Sequence, residues 1–507
     1  MNQKKIEMSR ALYSRIIENF PDMSNEEYLT MKNGVGSAYR GKKFTQKVNR
    51  IKELYDIKAN EKYIGKHYSL TSGDPLKFDS FGPCIENAKS ALTSLSMYSY
   101  EHAREVEMLK KNVIDYLKKI GIQKSKERGN ISEVKESHIS FTSSTTQAFY
   151  ILFQIISKPN DIVIIPAPNY GLFNFIPEYC GVQVEFVDLK EENNWIIDPD
   201  DLEEKIACIN RKIQSEYGND ENRPKIVAFV NQNPNNPTGK VMGKREIGVL
   251  QRIGEISKKN GLYIIDDLIY RDLTYDRNNM AYPIACMEDY FENTISLFGL
   301  SKSYGMAAIR SGVVVANEYV SKCIADYIFQ TQESLSLPMI YAVIGAFCDT
   351  PERNREYEKY FSILINKYIE NFYLLSALVD GIDSVPTEMR QKIIDRISDV
   401  IENDKLESVI KGIDSVKFVR NMKPESGFFS VLDFTEIKGK KVPGNVINNE
   451  IDLFKFLYEY AHVKVLCGQS FVWPKEDQLI VRVTYAIETE TLVKAFANIS
   501  QALLLLK

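Results

Sequence analysis

Histidine is scarce in this 507-residue chain, with four in all, at 67, 102, 138 and 462. No two stand at HxxxH or HExxH spacing, which argues against a zinc enzyme, and no metal is expected. The seven cysteines (84, 180, 208, 286, 323, 348 and 467) are odd in number and form no CxxC pair. That pattern points to reduced thiols in a cytoplasmic protein rather than to a disulfide framework. No run reaches the roughly 18 apolar residues of a membrane-spanning helix, and the start, MNQKKIEMSRALYSRIIENF, has no apolar stretch or cleavage site of a secretion signal. Neither sign of charge dominates: 64 basic against 68 acidic residues give a net charge of −4. Neither nucleic acid nor a membrane surface is therefore an expected partner.

What is present is an ordinary globular composition, 44% hydrophobic and 26% charged, in a chain long enough for two domains. Residues 1 to about 65 are polar and helix-leaning, interrupted by the breaker Asn33-Gly34-Val35-Gly36-Ser37, and read as an N-terminal helical arm. From Ile139 the pattern changes. Apolar runs at Ile162 to Pro166, Val182 to Val187, Ile226 to Val230, Leu262 to Ile265, Ile295 to Phe298 and Val313 to Ala316 alternate with helical patterns at Thr145 to Ser157, Asp200 to Ser215 and Lys244 to Lys259. Short, wholly apolar strands between helices predict an α/β fold with a mostly parallel sheet covered on both faces. After about residue 350 come helices (Arg353 to Leu378) and a meander of short strands, the pattern of a smaller α+β domain. Gly-Ile-Asp-Ser-Val occurs at 381 to 385 and again at 412 to 416, with a charged helical segment between; we read it as an insertion.

Sheets of this kind hold ligands at the carboxyl ends of their strands. The polar residues there are Ser143-Ser144-Thr145-Thr146, Pro168-Asn169-Tyr170, Asn233-Pro234-Asn235-Asn236-Pro237-Thr238-Gly239, Asp266-Asp267-Leu268-Ile269-Tyr270, and Lys302 with Arg310 eight residues on. Singly, each has a plain structural reading as a helix cap, a turn or a surface charge. In this order on one sheet they form a set.

From about Tyr68 to the C-terminus the set resembles the fold-type I enzymes dependent on pyridoxal 5′-phosphate, specifically the class I/II aminotransferases. The most specific pieces are Asn236-Pro237-Thr238-Gly239, the pair Asp267 and Tyr270, and Ser301-Lys302 with Arg310. The resemblance implies a large domain with a seven-stranded-type sheet at 98–349. It also implies a smaller α+β domain made of 66–97 and 350–507, which carries the insertion at about 386–411. It further implies that Lys302 forms the Schiff base with the cofactor and acts as general base, and that Asp267 pairs with the pyridine nitrogen. Asn236 and Tyr270 would bond the ring oxygen, and Tyr170 would stack on the ring. Thr145, Thr146 and Arg310 would hold the phosphate. Arg482, in Ile480-Val481-Arg482-Val483-Thr484, would clamp the substrate α-carboxylate beside Gly73 and Asn236. Tyr100 would reach the phosphate across a homodimer interface.

The expected activity is transamination between an L-amino acid and a 2-oxo acid. The same scaffold also serves decarboxylases, lyases and oxidases, and an aminotransferase-like body can act as a non-catalytic ligand sensor. The sequence departs from the family pattern at Gly299, where a serine is usual, and at Ser144, Ala308, Leu268 and Glu105. These departures mark a distant branch.

Overall fold

The computed structural model describes residues 67–75, 79–94, 103–442 and 445–507. The expected arm at 1–65 and Tyr100 lie outside them. The seven-stranded sheet runs in the order Ile139–Thr142, Gly312–Val315, Thr294–Gly299, Tyr263–Asp267, Ile226–Gln232, Ile162–Ala167, Gln183–Asp188. The last five of these are mutually parallel, and Gly312–Val315 is antiparallel to both its neighbours. Five parallel strands therefore open their carboxyl ends on one edge. The antiparallel strand starts on that same edge, because Gly312 pairs with Thr142 and Gly299, the last residues of the flanking strands. It and both its neighbours are buried along their whole length.

A second sheet, antiparallel throughout, has the order Lys417–Phe418, Phe429–Asp433, Ile480–Thr484, Leu466–Cys467. Chain from the start of the described region joins it. Tyr68–Ser69 pairs in parallel with Val463–Lys464, and the Thr484 amide donates to the Leu70 carbonyl at 2.9 Å. The segment Thr71 to Asp74 is thereby carried to the edge of the larger sheet. The two sheets are tied together where Glu425 meets the Asn236–Gly239 turn: its amide donates to the Gly239 carbonyl at 3.0 Å and its carboxylate takes Lys240 at 2.9 Å.

The charged segment between the repeated pentapeptides is two helices, Thr387–Ser398 and Asn403–Ile410, rather than one. The repeats themselves meet. Gly381 and Gly412 both have left-handed φ, +87° and +86°, and a Cβ on Gly412 would lie 2.5 Å from the Gly381 nitrogen. The Ile413 amide donates to the Val379 carbonyl at 2.8 Å, so the chain leaves and re-enters at one point. Only glycine tolerates both the dihedral and the backbone approach. Gly412→Ala is expected to destabilise the protein by on the order of 2 kcal/mol, several degrees in Tm, as read by thermal unfolding. An unchanged Tm would show that the pinch is not a constraint.

Candidate active site

Each site residue reaches the common edge by a local cause. The Ile139–Thr142 strand ends just before Ser144, whose hydroxyl caps the Thr145–Ile156 helix by accepting the Gln147 amide at 3.0 Å. The helix N-terminus then faces a cavity of about 530 Å³ that Ser144, Thr145 and Thr146 line. Free amides and the helix dipole make this end favourable for an anion. The approach of the neighbouring strand is close, since a Cβ on Gly312 would fall 2.8 Å from the Thr145 nitrogen. Gly299 is similarly confined, with Ile269 and Thr145 side-chain atoms at 3.0 and 3.1 Å from a Cβ placed there. The serine usual at this position would crowd the helix start.

Asp266 and Asp267 end one strand and face opposite ways. Asp266 is spent on structure, accepting from the Asn231 amide group at 2.8 Å and the Ile284 amide at 2.9 Å. Asp267 lines the cavity, is 5% exposed and accepts from the Ile269 amide at 3.3 Å. Burial, with Asp266 alongside, pushes its carboxyl up to about 7 against the pull of the Ile269 amide, Gln232 and Lys302. Tyr270, 4% exposed, lies against Phe428 and Phe429, and burial raises its phenol.

Lys302 sits in the turn after the Thr294–Gly299 strand, and its Nζ donates to the Gly73 carbonyl at 2.5 Å. Burial lowers its amine to about 8; Arg482 and Arg310 act in the same direction, and Asp74 and Asp267 oppose it. An amine poised near neutrality is what a lysine nucleophile or base requires. Arg482 is 6% exposed, donating to the Asn236 Oδ1 at 3.0 Å and the Thr71 carbonyl at 3.1 Å, with its guanidinium 4.0 Å from the centre of the Phe429 ring. The ring's negative face supports the cation and fixes its plane. Arg310 stands at the exposed rim with a left-handed backbone, φ +57°, donating to the Ala307 carbonyl at 2.9 Å.

One cavity thus brings together Gly73, Thr145, Thr146, Tyr170, Asn236, Asp267, Tyr270, Lys302, Arg310 and Arg482. Tyr170 is 36% exposed, with its ring edge-on to Phe173. Phe173 lines the cavity beside it, whereas Phe471 and Trp473 pack into the core with Trp195. Sequence reasoning missed Phe429, Gln232 and Asp74. Gln232 could have been found as the last residue of a central strand; its Oε1 accepts the Asn236 amide at 3.1 Å. Asp74 could have been found as the neighbour of Gly73, whereas Phe429 has no signal in its own sequence neighbourhood.

The raised Asp267 pKa has a stability consequence. A carboxyl near 7 when folded and about 4 when unfolded keeps its proton longer in the native state, so its contribution is lost as pH rises through that window. In cofactor-free protein, Asp267→Asn is expected to melt with wild type near about pH 4 and above it near about pH 8. Melting curves across that range test this, and a difference that does not change with pH would refute it.

Comparison with known proteins agrees with this geometry. The profile of the family described as aminotransferase class I and II matches residues 66–499. The chain is 27% identical over 375 residues to the probable aspartate/prephenate aminotransferase of Aquifex aeolicus, covering 74% of this chain and 78% of that protein. It is 24% identical to an aspartate aminotransferase of Pyrococcus horikoshii, covering 90% and 95%. In fold it is similar to Thermus thermophilus aspartate aminotransferase solved with maleate, with a TM-score of 0.62 at 20% identity over 90% of this chain and 95% of that one. It is likewise similar to the aromatic aminotransferase of Pyrococcus horikoshii, with a TM-score of 0.61 at 20% identity over 87% and 96%. With the match spanning most of its length, this chain belongs to the class I and II aminotransferases, the pyridoxal 5′-phosphate-dependent transaminases of fold type I.

Proposed function

We propose that Lys302 is the residue that carries the cofactor and moves the substrate proton, and that the cavity around it divides the remaining work. The observation that carries this reading is that one cavity holds an amine lowered to about 8 and a carboxyl raised to about 7. The residues fit pyridoxal 5′-phosphate in their chemistry: a helix N-terminus and Arg310 for a phosphate, a buried carboxyl for a ring nitrogen, and an amine for an aldehyde. When bound, this cofactor supplies an aldehyde that takes up the amino group and a ring that draws electrons from the substrate Cα.

The protein's own groups would act as follows. Thr145 and Thr146 amides with Arg310 would bind the phosphate, and Tyr170 would cover one ring face. Asp267, its carboxyl raised to about 7 by burial, would share a proton with the ring nitrogen. Asn236 and Tyr270 would bond the ring oxygen. Arg482, steadied by Asn236, the Thr71 carbonyl and Phe429, would grip the substrate carboxylate in a two-point contact, with Gly73 beside it. Lys302 would take the proton from Cα and return it elsewhere.

The substrates in this reading are an L-amino acid and a 2-oxo acid, and the relatives named for aspartate, prephenate and aromatic amino acids support that class. We place the enzyme in the cytoplasm as a homodimer. The odd number of cysteines with no CxxC pair supports the former, and the exposure of Arg310 at the phosphate end supports the latter. We also divide the chain as the sequence suggested, with 98–349 as the large domain, and 66–97 with 350–507 as the smaller one.

The test uses holoenzyme. A panel of amino acids should remove the visible absorbance of the bound cofactor, and 2-oxo acids should restore it. Lys302→Ala should lose both turnover and the cofactor bond that borohydride fixes, yet keep its Tm. Wild-type turnover in that variant would end the assignment.

A further inference from the structure

Beneath the site lies a buried charged cluster to which the proposed chemistry assigns no task. Asp272, 4% exposed, sits two residues beyond Tyr270 on the short Arg271–Leu273 helical turn. Its Oδ1 accepts from Arg271 at 2.9 Å and from the Tyr357 hydroxyl at 2.8 Å, and its Oδ2 accepts from the Tyr304 hydroxyl at 2.8 Å. Arg277 donates to its backbone carbonyl at 2.9 Å and to the Tyr357 hydroxyl at 2.7 Å. Burial alone would raise this carboxyl, but Arg271 and Arg277, with the two tyrosine hydroxyls, hold it below the usual range, so it is an anion at any working pH.

The donors on that carboxylate come from different places. Tyr357 belongs to the long Pro351–Asp380 helix, outside the strand-end turns. Tyr304 is two residues beyond Lys302 and fully buried. The bond from Tyr304 to Asp272 therefore joins the turn that carries Lys302 to the turn that carries Tyr270. A second rung lies beside it: the Ser303 hydroxyl donates to the Ile269 carbonyl at 3.0 Å. Consecutive residues after the lysine thus clasp the segment after Asp267, and the stronger of the two clasps ends on a buried charge.

We propose that Asp272 is a positioning residue that, through Tyr304, sets the separation of Lys302 from Asp267 and Tyr270. The proposal rests on the reading of Lys302 given above. A Lys302 amine displaced from its neighbours would feel a different field, since Asp74, Arg482, Arg310 and Asp267 all face it. A purely structural cluster would instead respond alike to the loss of either tyrosine hydroxyl.

The two hydroxyls provide the test, because Tyr304→Phe and Tyr357→Phe each remove one 2.8 Å bond to the same carboxylate and each leave one arginine without a hydroxyl acceptor, Arg353 at 3.4 Å and Arg277 at 2.7 Å. In holoenzyme, Tyr304→Phe is expected to move the pH midpoint of the bound cofactor's visible absorbance by about half a unit or more. It should also lower kcat by about ten-fold, the scale of a sub-ångström misplacement. Tyr357→Phe is expected to lower Tm while leaving the midpoint in place and kcat within about two-fold. Ser303→Ala, which removes the second rung without touching the cluster, should move the midpoint in the same direction as Tyr304→Phe. Equal midpoint shifts in the two tyrosine variants, or none in Tyr304→Phe and Ser303→Ala, would overturn the proposal. Wild-type protein that binds the cofactor without a borohydride-fixable bond at Lys302 would instead overturn the functional reading on which it rests.

Discussion

Desolvation at the carboxyl edge of the large sheet is the constraint on which the site depends. Asp267 and Arg482 lose nearly all solvent contact there, between two sheets tied at Glu425 and the Thr71 to Asp74 segment that the smaller sheet delivers. In that setting Lys302 and Asp267 both shift towards their neutral forms, the amine downwards and the carboxyl upwards. Each becomes easier to transfer a proton to or from near neutral pH. The same exclusion leaves Arg482 in need of a fixed setting, which Asn236, Thr71 and the face of Phe429 provide. In the role proposed for it, a charge held in this way would need little rearrangement to receive a carboxylate.

The adjacent aspartates show how one strand separates structure from chemistry. The alternation of side chains sends Asp266 to Asn231 and Ile284, where it secures the far side of the sheet, and sends Asp267 into the cavity. Both carboxyls are raised to about 7 by burial, so pKa alone does not distinguish them; the cavity does.

Much of this was legible in the sequence because it is local. Continuous apolar strands, the Ser144 cap before a helix, and polar residues immediately after strands each report on themselves. Where the signal was weak the reading fell short. Ile139–Thr142 is a four-residue strand of mixed character, and Leu337–Ala346 is apolar on nearly every face, so neither has a clear period. That helix lies against Gly82–Ala91 so closely that a Cβ on Gly345 would fall 2.4 Å from the Pro83 carbonyl oxygen, a contact between segments far apart in the chain. The pairing of Arg482 with Phe429 and of Tyr304 with Asp272 is equally non-local, and no spacing within one motif encodes it. Gly299 is the reverse case, a visible departure in sequence whose close surroundings, Ile269 and Thr145, only the packing reveals.

The meeting of Gly381 with Gly412 bears on how such a chain can lengthen. Because the host structure already holds both ends of the excursion together, the segment between them forms a closed loop whose ends need no further gathering. For a loop of that kind the entropic cost grows only with the logarithm of its length, about 0.6 kcal/mol for each doubling. That freedom belongs only to the turns of the segment, because Ile393 and Ile397 are fully buried in the main core and Arg396 donates to the Asn371 Oδ1 at 2.6 Å. The segment is thus held twice, at the pinch of its ends and along one buried helix face, and only its outward face and turns are free of the host.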